Sequence, residues 1–232
     1  MFTVYYRISN NSYKKDKIPL ATKENCLINF LKVFDDGKNT INVLGDNITD
    51  IPLQNFLNSL PSKTVSLEFS RLNNAQSFRY VYERALDLPD TTNVYFVEDD
   101  YIHLTSSSKI LKEGLSRADY ASLYDHPDKY VDGINPFIKD MGENTKVIKT
   151  ESRHWKFTNS TTMTFATCVK TLKEDKEIWF SFLKGAHPHD FYAFVALLKK
   201  GRTLVTPIPT LATHAEPKWL SPFVDWYSGE YF

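Results

Sequence analysis

The sequence has little of what marks several large classes of protein. Only two cysteines occur in 232 residues, Cys26 and Cys168, and they lie far apart in the chain. Disulfide frameworks need dense, regularly spaced cysteines, so we expect both to be buried free thiols. Lys plus Arg and Asp plus Glu each number 28, which leaves a net formal charge of zero. No overall electrostatic field is then available to attract nucleic acid, and we expect no nucleic-acid partner.

Long apolar runs are missing as well. Residues 1–17 lack the apolar core of a signal peptide, and no later stretch reaches the roughly 18 to 20 apolar residues of a membrane span. We therefore expect a cytoplasmic protein without a membrane span. Hydrophobic residues make up 42% of the chain and aromatic residues 14%, which is enough for one substantial core. A single domain over residues 1–232 is predicted.

The first hundred residues alternate short runs typical of strands with longer amphipathic runs typical of helices. We predict strands at 3–8, 40–44, 65–69 and 93–97, and helices at 24–34, 53–60 and 76–86. Strands separated by helices form a mostly parallel sheet that is covered on both faces. The predicted fold class is therefore α/β. Ligands of such sheets lie at the carboxyl ends of the strands, usually between the first and the fourth strand.

The second half has a different pattern. It predicts a strand at 118–124, a hairpin of 147–157 and 162–169 around 158–160, and a helix at 189–200. The polar stretch 125–146 is the best candidate for a mobile loop. This half is typical of a mixed-sheet substrate region.

An acidic triplet follows the fourth predicted strand. Four apolar residues, 94–97, lead directly into Glu98, Asp99 and Asp100. Three adjacent carboxylates repel one another unless a cation is near. Hard divalent ions bind carboxylate oxygens and also bridge to diphosphates, so the triplet is suited to a metal and a nucleotide. A simple acidic turn is the alternative.

The triplet and its position resemble the glycosyltransferases of the GT-A fold, whose short acidic motif ends the fourth strand and is Glu-Asp-Asp in some inverting families. The resemblance implies a Rossmann-type, nucleotide-binding mixed sheet flanked by helices. Residues 1–103 would then bind a nucleotide-sugar donor and residues 104–232 an acceptor glycan or another hydroxyl. It also implies that Asp100 ligates Mn²⁺ or Mg²⁺, that Asp99 binds ribose or the metal shell, and that Glu98 faces the donor.

A second group of candidate site residues lies at the start of the last predicted helix. Asp190 falls in its first turn, where a carboxylate is stabilised by the helix dipole and is equally explained as an N-cap. The family resemblance implies a different role, in which Asp190 removes the proton of the acceptor hydroxyl in an inverting transfer. The preceding residue, His189, departs from the usual Glu-Asp pattern and is assigned to acceptor binding.

The remaining candidates are single residues, most of which have two interpretations. His214, among small residues, is either structural or a second metal ligand, since imidazole with carboxylate suits manganese. Arg7, near the end of the first strand, is assigned to donor binding. Asp46 and Arg79 resemble the family's nucleotide contacts, or serve as a cap and a surface charge. Trp155 either stacks on the acceptor sugar or packs in the core.

Other functions are less compatible with the sequence. A dinucleotide oxidoreductase needs a glycine-rich first turn, and residues 9–12 contain no glycine. A nucleotidyltransferase, ranked second, normally has a glycine-rich basic loop at that place. A metal hydrolase would use His187, His189, Asp190 and His214, but a second histidine cluster is missing. A non-catalytic sugar-binding module remains as an alternative. The aromatic C-terminus, including Trp219 and Trp226, is expected to dock on the domain without a catalytic role.

Overall fold

The structure is a computed structural model that describes residues 1–10 and 16–232 of the chain. The strands in these ranges are β1 (Thr3–Ser9), β2 (Thr40–Asp46), β3 (Val65–Ser70), β4 (Asn93–Glu98), β5 (Tyr101–His103), β6 (Tyr120–Ala121), β7 (Val147–Lys149), β8 (His154–Phe157), β9 (Phe165–Cys168), β10 (Leu204–Ile208) and β11 (Ala212–His214). The helices are α1 (Lys23–Phe34), α2 (Ile51–Asn58), α3 (Asn74–Leu86), α4 (Ser107–Leu115), α5 (Val169–Ser181) and α6 (Asp190–Lys199). Short 3₁₀ helices cover Pro127–Tyr130, Pro217–Trp219 and Gly229–Tyr231.

One large mixed sheet holds strands from both halves of the chain. Among the described residues it has nine strands in the order β3-β2-β1-β4-β9-β6-β10-β8-β7. The strands β1 to β4 run parallel, so the predicted βαβαβαβ pattern of the first half is confirmed. β1 lies between β2 and β4, which places the reversal of strand order between the first and fourth strands as predicted. Because the sheet crosses both halves, they share one domain.

Local sequence signals explain where the first helices begin. Thr22, Asp50 and Asn73 each precede a helix, and each side-chain oxygen accepts a backbone N–H of the first turn. Asn73 also forms a capping box with Gln76, whose side chain accepts the backbone N–H of Asn73. Such caps satisfy amide groups that have no partner within the helix and typically contribute about 1 kcal/mol each.

Aromatic side chains fill the core on both faces of the sheet. On the α1 face, Phe30 and Phe34 stack with ring centroids 4.6 Å apart, and Phe34 lies 5.3 Å from Tyr95 of β4. On the α3 face, Phe78 packs edge-on to Phe96 of the same strand, at 5.1 Å. The residues of β4 therefore alternate between two cores, which explains the continuous apolar run that precedes the acidic triplet.

The predicted hairpin of the second half is wrong. β9 inserts between β4 and β6 and is antiparallel to both, whereas β8 pairs with β10 and β7. Residues 162–169 do contain a strand, but their partners are distant in sequence. The helices α4 and α5 and the strand β10 were not predicted. α5 begins directly after β9 without a side-chain cap, so no local signal separates the two.

The segment 125–146 is fastened by buried charges and is not the open loop that its composition suggests. Lys129 and Lys156 are 1% and 4% exposed. The ammonium group of Lys156 lies 3.0 Å from Asp125 and 3.1 Å from Glu143. That of Lys129 donates to Asn159 at 2.9 Å. Buried charges need such partners. Here the contacts hold both ends of the segment against β8 and the residues that follow it.

Two smaller predictions can be compared with the fold. Cys26 is a buried free thiol as predicted, but Cys168 is partly exposed and its thiol lies 2.8 Å from the carbonyl oxygen of Asp90. Of the helices in the described ranges, none combines the length and apolar character that crossing a bilayer requires.

Candidate active site

An open cleft of about 470 Å³ lies at the carboxyl end of β4. It gathers the ends of several elements that are far apart in sequence. Its lining residues are Asn74, Glu98, Asp100, Tyr101, His126, Thr162, Met163, His187, Pro188, Asp190, His214, Glu216 and Trp219. The cleft therefore lies where the strand order reverses, the usual ligand position in open α/β sheets.

Arg7 lies behind this cleft and not among its lining residues. Its guanidinium is buried and donates to the side-chain and backbone oxygens of Asn74, at 2.8 and 3.2 Å, and to Ser77 at 3.0 Å. It also lies 3.4 Å from Glu98. Both terminal nitrogens of the guanidinium therefore contact protein groups and hold Glu98 and Asn74 in position, and the predicted contact of Arg7 with a donor stays a prediction.

Glu98 carries an unusual electrostatic environment. Burial raises its pKa to about 7, and the carboxylates of Asp100 and Asp190 act in the same direction. Arg7 and His214 oppose this shift because their positive charge favours the ionised form. The side chain of Glu98 still lines the cleft and is 24% exposed. The first residue of the triplet is thus placed at the cleft, as predicted.

Asp99 is not among the residues that line the cleft, and its side chain contacts both β1 and α1. Its Oδ2 accepts the backbone N–H of Ser9 at 2.9 Å and forms an ion pair with Lys23. Ser9 ends β1 and Lys23 begins α1. This oxygen therefore connects the end of β1 with the start of α1, and the predicted contact of Asp99 with ribose or the metal shell stays a prediction.

Asp100 and His214 lie side by side although 114 residues separate them in sequence. β11 pairs antiparallel with β5, and this register places His214 opposite Tyr101, the residue after Asp100. Nε2 of His214 is 3.0 Å from Oδ2 of Asp100. The ammonium group of Lys17 lies 3.3 Å from the same carboxylate oxygen. The two predicted metal ligands are thus adjacent, with a lysine as a competing cation.

Asp190 enters the cleft from the first turn of α6. The residue that caps this helix is His189, whose side chain makes no capping hydrogen bond, so Asp190 is not the N-cap. One oxygen of Asp190 accepts the backbone N–H of Phe191 at 2.7 Å. The predicted acceptor residue His189 is exposed and its ring lies 6.5 Å from that of Tyr192. His187 lines the cleft, whereas His189 does not.

Three other predicted site residues have structural contacts instead. Trp155 is fully buried under α4, where its ring packs against Gly114, so it cannot stack on a sugar. Asp46 is 2% exposed and its Oδ1 accepts from the hydroxyl of Ser70 and the backbone N–H of Leu72, both at 2.7 Å. Arg79 lies on the exposed face of α3, paired with Glu83 at 3.0 Å. None of these three residues lines the cleft.

Several cleft residues were missed by sequence reasoning. His126 stacks 5.1 Å from Trp219, and both line the cleft, although the C-terminal aromatics were expected to have only a docking role. Asn74 begins α3 and Glu216 follows β11 by two residues. The one signal that pointed to Asn74 was the capping motif just before it. The positions of His126 and Trp219 depend on long-range packing and have no local signature.

Comparison with known proteins finds similar structures but no matching family model or curated sequence. No protein-family model matches the chain, and no curated protein matches its sequence. The galactosyltransferase LgtC, solved with donor and acceptor sugar analogs, superposes with a TM-score of 0.51 at 10% identity, over 88% of this chain and 73% of that chain. A197 from STIV gives 0.48 at 16% identity, over 97% of this chain and 87% of that chain. The glycosyltransferase GlyE of Streptococcus pneumoniae TIGR4 gives 0.46 at 9%, over 89% and 45%. The likeness to LgtC confirms the predicted fold, a GT-A-like mixed α/β sheet flanked by helices.

Proposed function

We propose that this chain is a glycosyltransferase that moves a sugar from a nucleotide-sugar donor to a hydroxyl of a glycan or another acceptor, with inversion. The observation that supports this most is the convergence of Glu98, Asp100, Asp190 and His214 on one cleft at the switch point of the sheet. The fold neighbour LgtC was solved with donor and acceptor sugar analogs, which is compatible with a sugar-sized cleft of this kind. Fold alone does not establish an activity, so the argument depends on the cleft residues.

The donor set at Asp100 and His214 fits a divalent cation. Two neighbouring ligands of an octahedral ion at about 2.1 Å are about 3 Å apart, and the two side chains are separated by 3.0 Å. Carboxylate with imidazole suits Mn²⁺ or Mg²⁺. Within residues 1–10 and 16–232 no three His, Cys, Asp or Glu side chains form a metal-binding group. Asp100 and His214 are the residues that would hold such an ion, and further ligands would have to come from a bound donor or from water.

When bound, the cation supplies positive charge that stabilises the leaving nucleoside diphosphate. The chain itself supplies three further functions. Asn74 lines the cleft, and its side-chain oxygen accepts from Arg7, which fixes the orientation of the amide. Asp190 would accept the proton of the attacking hydroxyl, a positioned step that contributes about 10²- to 10⁴-fold in rate. The backbone N–H of Phe191 donates to one oxygen of Asp190. This contact fixes the orientation of the carboxylate at the start of α6.

A ligand panel tests this function. Thermal unfolding is measured with UDP-, GDP- and CMP-sugars, each with and without Mn²⁺, because a ligand at about 100 times its Kd stabilises by about 2.7 kcal/mol. We expect one nucleotide class to raise the Tm in a Mn²⁺-dependent manner. With an acceptor present, turnover should then release UDP, GDP or CMP, according to the donor. Binding without turnover would support a non-catalytic sugar-binding module instead. A response to nucleoside triphosphates with pyrophosphate release would support the nucleotidyltransferase alternative.

A further inference from the structure

The segment 131–141 carries an exposed apolar surface, which we call the 131–141 patch. Its exposed side chains are Val131 at 44%, Ile134 at 46%, Phe137 at 50% and Met141 at 70%. In the part of the chain that the structure describes, fourteen large hydrophobic side chains are exposed, and four of them fall in this short stretch. Clusters of exposed apolar side chains mark binding surfaces on soluble proteins.

The patch is exposed although its segment is firmly packed. Asn135 is 1% exposed and donates to Asp128 and to Asn159, each at 3.2 Å. Ile138 is also buried. The segment thus buries an asparagine within a polar network and turns Phe137 to the surface, the reverse of the usual preference. A loop that was merely unpacked would not hold its polar side chain inside.

The tip of the segment has an unfavourable backbone conformation. Asp140 and Met141 have φ angles of 54° and 58°, in the left-handed region. Lys139 and Gly142 close the turn with two backbone hydrogen bonds, at 3.2 and 3.3 Å. Glycine adopts this conformation without steric cost, whereas methionine does not. This conformation places the flexible apolar side chain of Met141 at the position of the patch with the highest exposure, 70%.

The patch is continuous with the candidate active site. The ring of Phe137 lies 6.4 Å from that of Phe191, the residue that follows Asp190. The next residue, Tyr192, is 61% exposed and its ring lies 5.4 Å from that of Phe191. An apolar surface therefore begins where the cleft ends on the side of Asp190, the proposed base. A ligand whose hydroxyl faces Asp190 would extend over this surface.

We propose that the acceptor sugar carries an alkyl or aryl group at its reducing end and that the 131–141 patch binds this group. This inference rests on the proposed glycosyltransferase function. The sugar hydroxyl faces Asp190, while the apolar group covers Phe137 and Met141 and leaves water. Burial of apolar surface drives that contact, so the patch affects acceptor affinity and not the chemical step.

The test compares acceptors that differ only in the apolar group. With the donor found in the nucleotide-sugar panel, kcat and KM are measured for free monosaccharides and for their octyl and p-nitrophenyl glycosides. We expect KM to be roughly tenfold lower for the octyl glycosides, a modest effect for a hydrophobic contact. The double variant Phe137→Ser with Met141→Ser should remove this advantage and leave the kinetics with free sugars unchanged. Ile51→Ser with Leu198→Ser, at exposed positions on α2 and α6, is the matched control.

Saturation-transfer NMR provides a second measurement that does not need turnover. Octyl glycosides are used below their micelle concentration, and contact of the octyl protons with the wild type should disappear in the double variant. Equal KM values for free and octyl sugars would overturn the proposal, as would a change in sedimentation that shows the patch binding a second copy. Nucleotide release that depends on an added acceptor, measured also with free monosaccharides, reports the glycosyltransferase function separately. Its absence with every donor and every acceptor would overturn that function, whatever the octyl NMR signal shows.

Discussion

Nε2 of His214 lies 3.0 Å from Oδ2 of Asp100, and the antiparallel pairing of β11 with β5 fixes this contact. The same carboxylate oxygen is 3.3 Å from the ammonium group of Lys17. A carboxylate, an imidazole and an ammonium group therefore meet at one point of the cleft. A bound metal would gain two ligands there and would have to displace or tolerate a positive charge.

Removal of Asp100 should weaken metal binding more than removal of His214. Asp100→Asn removes a charged ligand, so we expect loss of Mn²⁺-dependent nucleotide binding with the fold intact. His214→Ala should weaken Mn²⁺ binding with partial rescue at high Mn²⁺, because Asp100 and the donor phosphates remain. Isothermal titration with Mn²⁺ and nucleotide measures both. Glu83→Gln, an exposed carboxylate on α3, is the control. Wild-type titration curves for Asp100→Asn would exclude it as a ligand.

Lys17→Met should have the opposite effect. The variant removes a cation that shares the oxygen of Asp100 but keeps a side chain of similar length. Charge competition at this distance predicts that Mn²⁺ binds more tightly, by a factor on the order of ten. The same titration measures it. If Lys17 instead contacts the donor phosphates directly, nucleotide affinity in the absence of metal should fall.

Asp190→Asn separates a catalytic role of the carboxylate from a purely structural role at the start of α6. Asparagine keeps the shape and still accepts the N–H of Phe191, but it cannot take a proton at neutral pH. Donor and metal binding should remain normal while transfer falls by roughly 10²- to 10⁴-fold. Asp50→Asn, at the N-cap of α2, controls for loss of charge at a helix start and should leave transfer unchanged. Near-normal transfer by Asp190→Asn would remove it from the mechanism.

Gly114→Ala should destabilise the fold, although alanine is normally the better helix residue. A Cβ at Gly114 would lie 2.6 Å from Cη2 of the buried Trp155. Overpacking of this kind costs about 1 to 3 kcal/mol, which urea unfolding can measure. In the Trp155→Phe background the same substitution should cost less, because the smaller ring does not reach Gly114. An equal loss in both backgrounds would show that the indole is not the cause.

The stability of the fold should depend on pH through His103. Burial among aromatic rings lowers its pKa to about 3. The unfolded chain takes up this proton near pH 6.5, so the stabilisation is present above that pH and is lost as the pH falls toward 3. The free energy of unfolding should therefore fall by up to about 1.4 kcal/mol per pH unit from this group. His103→Gln should reduce the slope between pH 6 and 4, and identical slopes would contradict the prediction.

The sequence by itself determined the features that depend on neighbours in the chain. Apolar periodicity located β1 to β4 and α1 to α3, because it depends only on residues within a few positions of one another. The same local signals placed Glu98 and Asp100 at a strand end and Asp190 in the first turn of α6. Position along a strand or a helix follows from such short-range chemistry.

Only the tertiary structure decided which side chains meet. The insertion of β9 beside β4, the pairing of β11 with β5, and the burial of Trp155 depend on which strand edges and core spaces other elements leave free. Arg7 likewise was a donor candidate by its position in β1, but packing of α3 enclosed it behind Glu98. The exposure of Phe137 accompanies the burial of Asn135, whose contact with Asn159 joins residues that are distant in sequence. Such contacts are set by the energy of the whole fold, which no short sequence window contains.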